Sequence, residues 1–564
     1  MPFNLLVVAL AGLLLVAASA ILAWRERRKR LARIRLVWGE SRDRVHKMHA
    51  IADYYRSRID PARTGDFLDD RTWDDLNLDA VFQRLDRTES TLGQQVLYHR
   101  LRSVPVAANL DAFEALVTRM GEDLEGRERA QMALARLQNP AGYDLWWLAQ
   151  PEALESRRWH VIYPVVGAIM VAVLLAAFIW PGALLVLIVG SVVNLTIRAM
   201  TAPRVGSVIG PFRQISALIA VAETLSFLTG DDIDPIVGSL RREVPALRRL
   251  KAIVRRVSPD PLTIGELAFA LMEYLNLIFL LDVNAVYFGA GELRRCGPSL
   301  LRVIAAVGDV DAAISIASFR AGTPGWTRPR FVPPGVRASL RDIRHPLIQD
   351  AVPNSIELGP PHGVLVTGSN MSGKTTFVRT VGVNAVLAQT INTCLAAAYD
   401  APVLHVRSCI GRSDDLISGK SYYIVEVEAV LAMVQASTGT APYLFLFDEL
   451  FRGTNAIERI AAAEAVLTEL ILDGSRFKPH LVLAATHDGE LVDLLSEIYT
   501  PHHFGDQLGP GGLIFDHRLR QGATTTRNAI ALLRLHGAPP AMVTRALQRA
   551  AVLDRQRGNA PATR

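Results

Sequence analysis

Residues 363–380, GVLVTGSNMSGKTTFVRT, hold the side chains of this chain best suited to chemistry. Gly368, Gly373, Lys374 and Thr375 fall at the spacing G-x-x-x-x-G-K-T of a loop that cradles phosphates. Glycines let successive backbone N–H groups turn inward on an anion, and the N-terminus of the following helix adds the positive end of its dipole. Lys374 then reaches β and γ phosphate oxygens, and Thr375 offers its hydroxyl to Mg²⁺. The expected phosphate-binding set is Gly368, Ser369, Asn370, Met371, Ser372, Gly373, Lys374, Thr375 and Thr376. Such a loop works only between rigid elements, and these are legible: Val364, Leu365 and Val366 make a short apolar strand before it, and Phe377 to Leu387 continues at helical spacing after it.

About seventy residues on, PYLFLFDEL reads as a buried parallel strand, Leu444 to Phe447, ending in two carboxylates. Asp448 at the strand end is placed to hold the Mg²⁺ shell, and Glu449 beside it to polarise an attacking water. A third strand, LVLAAT from Leu481, ends in Thr486 and His487, where an imidazole would sense a γ-phosphate. Strands alternating with helical patterns predict an α/β domain whose sheet is mainly parallel and flanked by helices.

With these motifs in order, residues from about 340 to 550 resemble the ATPase domain of the MutS family, a branch of the ABC-type ATPases. The resemblance is carried by Arg344-His345-Pro346, GSNMSGKTT, SDDLISGKSYYIVEVE from Ser413, DELFRGT from Asp448 and ATHDGEL from Ala485. It implies ATP and Mg²⁺ as cofactors, Lys374, Glu449 and His487 as catalytic residues with Glu449 the base, and Thr375 and Asp448 as metal ligands. It also implies that Ser418, Gly419 and Ser421 form a signature completing the partner subunit's site, so that a homodimer joined through the ATPase domains is the working unit. Thr454 would face that partner, and His517 in FDHRLRQG would lie near adenine. NAIALLRLHGAPPAMVTRAL, broken at Gly537-Ala538-Pro539-Pro540, is similar to the family's C-terminal dimer-contact helices.

Upstream, RLDRTESTLGQQVLYHRL with Thr88, Thr91 and Gly93 resembles the start of the family's helical core, and 205–325 is apolar-periodic as a helical lever domain would be. EYLNLIFLLDVNAVYFGAGELRR from Glu273 is interrupted by Asp282 and Asn284 and is expected to be a buried helix rather than a span. Two other regions have membrane character. Residues 3–24 are apolar without a charge and are followed by RERRKRLARIR, which predicts an uncleaved anchor with its basic end in the cytoplasm. Val161 to Ile197 is a 37-residue apolar run with Trp180-Pro181-Gly182 at its middle, which suggests two short spans and a turn. About three transmembrane helices are therefore expected. The predicted organisation is an anchor and juxtamembrane segment at 1–39, a helical cytoplasmic segment at 40–159, a transmembrane hairpin at 160–199, a helical lever at 200–335, the ATPase domain at 336–535 and a C-terminal contact segment at 536–564. The ATPase domain would face the cytoplasm of an integral membrane protein of the cell or inner membrane.

The formal charge of +6, from 61 basic and 55 acidic residues, suggests a nucleic-acid partner only until residues 25–35 are set aside. That segment holds seven basic residues and one acidic, which accounts for the entire excess and points to anionic lipid. DNA as a partner is left without support from net charge. Three cysteines, Cys296, Cys394 and Cys409, fit neither a disulfide framework nor a metal site. No segment resembles the family's mismatch-binding domain with its F-x-E motif, so the resemblance supports an ATPase more than a DNA activity. The leading expectation is a membrane-anchored, dimeric ATPase driving a helical domain against an unknown protein partner. The alternatives are a DNA clamp at the membrane and, less well matched because SGKS departs from the usual signature, a transporter subunit.

Overall fold

The computed structural model describes residues 21–22, 24–59, 67–103, 107–150, 161–257, 274–275, 278–369, 371–411, 422–509, 512–523, 530, 533–534 and 536–558. The N-terminal apolar run thus lies almost wholly outside them, as do Asn370 and the signature residues Ser418, Gly419 and Ser421. The chain is mixed α/β and mostly helical, and divides into two compact units, Met1–Thr64 with Phe82–Pro324, and Gly65–Val81 with Gly325–Arg564.

The first unit is helical, and its buried polar contacts define its centre. Ser90 caps the helix Thr91–Arg102 by accepting from Gly93 N, while Asp311, fully buried on the helix Leu281–Ala321, accepts from Glu89 N at 2.8 Å and Ser90 N at 2.7 Å. The N-terminus of one helix is thereby fixed to the flank of another, and Gly93 lies so close to Asp311 that a Cβ there would meet its carboxylate. Asp86 gathers Arg44 Nη2 at 2.6 Å, His46 Nε2 at 2.8 Å and Gln94 Nε2 at 2.8 Å, which holds its carboxyl far below the usual range despite complete burial.

The helix Ile162–Ala176 turns at Trp180-Pro181-Gly182 into a helix that runs from Ala183 to Leu225. Two windows on that second helix, Ala183–Met200 and Val208–Leu225, are long and apolar enough to cross a membrane by length and composition. Burial separates them: 11% of the first is buried and 50% of the second, so the second is packed as a core helix and the first carries its apolar surface outward. The expected division at 199/200 falls inside this continuous helix. Of the segment from Glu273, residues 274–275 and 278–279 are helical, Leu280 is left-handed at φ 52°, and the helix Leu281–Ala321 follows.

In the second unit the strands are, in chain order, β1 (Arg330–Phe331), β2 (Ala338–Ile343), β3 (Asn354–Leu358), β4 (Gly363–Thr367), β5 (Ala398–Ala401), β6 (His405–Cys409), β7 (Tyr443–Asp448), β8 (Leu472–Asp473), β9 (Arg476–Phe477), β10 (Leu481–Ala485), β11 (Tyr499–Gly509) and β12 (Gly512–Gln521). The main sheet has the order β12-β11-β4-β10-β7-β6, with β12 alone antiparallel to its neighbour. A smaller sheet has the order β1-β5-β2-β3, and β8 and β9 form a short hairpin. GVLVT and LVLAA are buried at every position, as interior strands covered on both faces must be. Phe445, Phe447, Val482 and Ala484 meet Leu467, Leu470 and Ile471 of the helix Ala456–Ile471 in one core cluster. Burying each of these large apolar side chains stabilises the sheet by about 1.5–3 kcal/mol.

Candidate nucleotide-binding site

Register brings the motifs together. In the pairings of β10, Ala485 stands opposite Val366 of β4 on one side and Asp448 of β7 on the other, so three parallel strands end side by side. Beyond those ends Thr486 N donates to Val366 O at 2.9 Å and Glu449 N to Ala485 O at 2.9 Å, which ties the three loops at their roots.

The loop after β4 turns through left-handed Gly368 (φ 146°), Met371 (φ 69°) and Gly373 (φ 115°) into the helix Lys374–Ile391. A Cβ on Gly368 would stand 2.9 Å from the Phe504 carbonyl oxygen and 2.9 Å from Ser372 Oγ, so only glycine fits there. Lys374 Nζ donates to Gly368 O at 2.8 Å and Ser369 O at 3.0 Å, and burial lowers its pKa. Thr375 Oγ1 donates to Asp448 Oδ2 in a short contact, while Asp448 Oδ1 is buried with no partner among the described residues. Burial raises the Asp448 pKa ahead of all other influences. A hydroxyl and a half-satisfied buried carboxylate at one point are a fitting donor pair for Mg²⁺, which takes its other ligands from phosphate oxygens and water. The buried Ser369 and Ser372 hydroxyls are likewise unpaired among the described residues.

Glu449 sits at a left-handed φ of 57° and Phe451 at 56°, a strained turn costing about 1–3 kcal/mol per residue. Glu426 on the helix Tyr422–Ala436 holds that turn, its Oε1 accepting from Phe451 N at 2.7 Å. The Glu449 carboxylate is clasped from both sides: His487 Nε2 lies 2.6 Å from Oε1 and Arg452 Nη1 2.6 Å from Oε2. The hydrogen bond from His487 is the main reason its pKa is lowered, so it is ionised at neutral pH. The same imidazole nitrogen lies 3.1 Å from Lys374 Nζ.

A cavity of about 380 Å³ opens beside the loop. Its walls include Lys374, Thr375, Thr376 and Glu449, together with Ile343, His345, Ile348, Val352, Phe504 and His517. His517, left-handed at φ 53°, brings Nδ1 to 3.0 Å from Ser372 O, and its backbone is pinned by Asn354, which donates to His517 O at 3.0 Å and accepts from Leu519 N at 2.7 Å. His345 is buried and its pKa is pushed down to about 4 by desolvation, so its ring is neutral near pH 7. Thr454 lies apart from the cavity and donates to Glu458 at the start of the helix Ala456–Ile471. Lys374, Thr375, Asp448, Glu449 and His487 are therefore drawn into one cluster, with His517 on the wall beyond the loop. The Arg452 clasp, the Glu426 brace and the Asn354 pin were not legible from the motifs. Arg452 carried the nearest signal, standing three residues after Glu449 in DELFRGT.

Fold and site together define a phosphate-loop nucleotide-binding domain in which a loop lysine and threonine meet two strand-end carboxylates and a histidine. Residues 364–554 match the family model described as MutS domain V. Similar proteins include the DNA mismatch repair protein MutS of Thermus thermophilus, 35% identical over 242 residues that make up 42% of this chain and 28% of that protein. The DNA mismatch repair protein MutS 2 of Halobacterium salinarum is 35% identical over 253 residues, 43% of this chain and 28% of that protein. The DNA mismatch repair protein MutS of Zymomonas mobilis is 32% identical over 279 residues, 47% of this chain and 30% of that protein. The family match is confined to this domain, and the chain spans less than a third of the length of these relatives.

Proposed function

We propose that this chain is a membrane-anchored ATPase that binds and hydrolyses ATP at composite sites in a homodimer and uses the cycle to move its helical unit. The observation that carries the reading is the parallel alignment of Val366, Ala485 and Asp448, which brings Lys374, Thr375, Asp448, Glu449 and His487 into one cluster, with Lys374, Thr375 and Glu449 lining the cavity. Lys374, now bonded to loop carbonyls, would exchange them for phosphate oxygens. Thr375 and Asp448 would hold Mg²⁺, which when bound neutralises the charge developing on the transferred phosphoryl group. Glu449 is ionised and lines the cavity, where it would orient and deprotonate the attacking water once one of its two partners, His487 or Arg452, turns toward phosphate. The apolar walls around Ile343, Ile348, Val352 and Phe504, with the His517 ring, suit a purine base. Ser418, Gly419 and Ser421 would close the site of the partner.

Membrane attachment is favoured by the outward apolar surface of the hairpin, where Ile169, Leu175, Leu185 and Ile188 are all more than half exposed. A water-facing patch of that extent is costly, and lipid removes the cost. Purified protein should bind an ATP analogue with Mg²⁺, and Lys374→Ala should abolish that binding; equal affinity in the variant would refute the site. A second reading, a DNA clamp at the membrane, is favoured by the names of the relatives, which are mismatch repair proteins. Gel-shift titration against branched and mismatched duplexes separates the two, because a clamp must bind in a salt-dependent way.

A further inference from the structure

His487 stands on a short loop between β10 and the helix Gly489–Leu494, and the residues on either side of it are tied down separately. On one side Thr486, which is buried, donates through its backbone N to Val366 O at 2.9 Å, and its hydroxyl accepts from Asp488 N at 3.0 Å. On the other side Asp488 is the N-cap residue of the helix Gly489–Leu494. A carboxylate at that position ordinarily accepts from a backbone N–H of the first turn. The Asp488 side chain makes no such bond. Both its oxygens turn instead to Arg459, whose Nε donates to Oδ2 at 2.9 Å and whose Nη2 donates to Oδ1 at 2.6 Å. The helix forgoes its cap, and the carboxylate is spent on a residue nearly thirty positions earlier in the chain.

Two parallel bonds from a flat guanidinium fix an angle as well as a distance, which a single ammonium contact does not. The Arg459 side chain is 24% exposed and that of Asp488 16%, so water and salt screen the pair only in part. Arg459 belongs to the first turn of the helix Ala456–Ile471, where its N donates to Asn455 O at 3.0 Å, and Asn455 caps that helix by accepting from Glu458 N at 3.0 Å. Further along, Leu467, Leu470 and Ile471 anchor the same helix in the core beneath the sheet. The loop is therefore clamped to a rigid element, and the clamp lies one residue from the imidazole that meets Glu449 Oε1 at 2.6 Å and Lys374 Nζ at 3.1 Å. Neither Arg459 nor Asp488 is among the residues that line the cavity.

We propose that Arg459 and Asp488 are positioning residues of the ATPase: their two-bond clamp fixes the backbone beside His487 so that the imidazole is held against the Glu449 carboxylate, and neither side chain touches nucleotide. The inference rests on the reading of Glu449 as the base, made above. Methionine at 459 keeps an unbranched apolar stem but offers no donor, so both bonds vanish and the His487 ring loses its fixed bearing on Glu449. Misplacement of this kind, remote from the reacting atoms, costs turnover on the order of 10–100-fold. Asparagine at 488 keeps the shape of the side chain and one acceptor oxygen, so one bond is lost and the cost is smaller.

The test is a double-mutant cycle on full-length protein in detergent, read as steady-state phosphate release and as equilibrium binding of a fluorescent ATP analogue. Arg459→Met should lower kcat by that factor and keep wild-type affinity for the analogue, since Lys374, Thr375 and Asp448 draw on other partners. In a His487→Ala background the same substitution should cost nothing further, because the residue that the clamp positions is already gone. Asp488→Asn should repeat both results with a smaller loss, and it leaves the helix Ala456–Ile471 unaltered whatever the folding yield of the Arg459 variant. Losses that multiply in the double variants overturn the inference and leave His487 its place beside the base. Wild-type turnover in Arg459→Met and Asp488→Asn also overturns it, as does a loss of analogue binding that matches the loss of turnover. Wild-type turnover in His487→Ala overturns it by another route, since nothing is then left for the clamp to position. Glu449→Gln, assayed alongside, tests the base alone: a loss of turnover there while the clamp variants behave as wild type sinks only this inference, and unchanged turnover there removes the base and this inference together.

Discussion

Replacing Glu449 by Gln is the most direct test of the site. The carboxylate has two partners at 2.6 Å, His487 Nε2 and Arg452 Nη1. An amide retains one acceptor oxygen, and its NH₂ group faces the second donor, so one clasp opens and the proton acceptor for water is gone. A positioned general base contributes on the order of 10²–10⁴-fold to turnover, which corresponds to about 2.7–5.4 kcal/mol at 1.36 kcal/mol per decade. Binding should persist, because Lys374, Thr375 and Asp448 draw on other partners: Lys374 on the Gly368 and Ser369 carbonyls, Asp448 on Thr375. The assay is steady-state phosphate release by purified protein, paired with equilibrium binding of a fluorescent ATP analogue. Loss of kcat with analogue affinity preserved is the expected result. Unchanged phosphate release would refute the role given to Glu449, and parallel loss of binding and turnover would show that the residue only props the loop.

Gly368→Ala should weaken nucleotide binding at least tenfold and lower stability by about 1–3 kcal/mol, since its Cβ collides with backbone at a left-handed φ; thermal unfolding and analogue titration check both. His345, with a folded pKa of about 4 against an ordinary 6.5, contributes stability that is present above pH 6.5 and lost as pH falls toward 4, because protonation charges a buried ring and removes the Nδ1 acceptor of Leu347 N. The loss is about 3 kcal/mol in full, and chemical unfolding of wild type and His345→Gln between pH 7 and 4.5 should show a shallower slope for the variant. Leu185→Arg places a charge on the outward face of the hairpin and should oppose its insertion by about 2.5–3.5 kcal/mol, so that protease added from the cytoplasmic side cuts the hairpin of the variant in membranes where that of wild type is protected.

What could be read from residues alone was the part governed by local pattern. Unbroken apolar runs such as GVLVT and LVLAA have no amphipathic alternative, so strands ending at Thr367 and Ala485 follow from composition and flanking breakers. The apolar hairpin was visible for the same reason. Contacts that join distant residues were not visible. Nothing in RTWDDL announces that Asp75 covers an edge strand beginning at His405, because a carboxylate near a helix end usually faces water. The continuation of the helix from Ala183 to Leu225 was hidden too, since a change from outward-facing to core-facing surface leaves the segment apolar throughout. Glu449 was legible as a residue type at a strand end, whereas its strained backbone and double clasp depend on Glu426 and Arg452, which approach only after folding.

The brace between Glu426 and Phe451 has a kinetic consequence. On the composite-site reading, the helix Tyr422–Ala436 begins where the signature stretch ends, while its second turn grips the bend that holds the base of its own chain. A displacement of that helix when the neighbouring subunit engages nucleotide is transmitted as a shift of Glu449 at home. The two centres of a dimer would then cycle out of phase instead of independently, and velocity plotted against ATP concentration would deviate from a single hyperbola in wild type and return to one when Glu426→Ala severs the linkage.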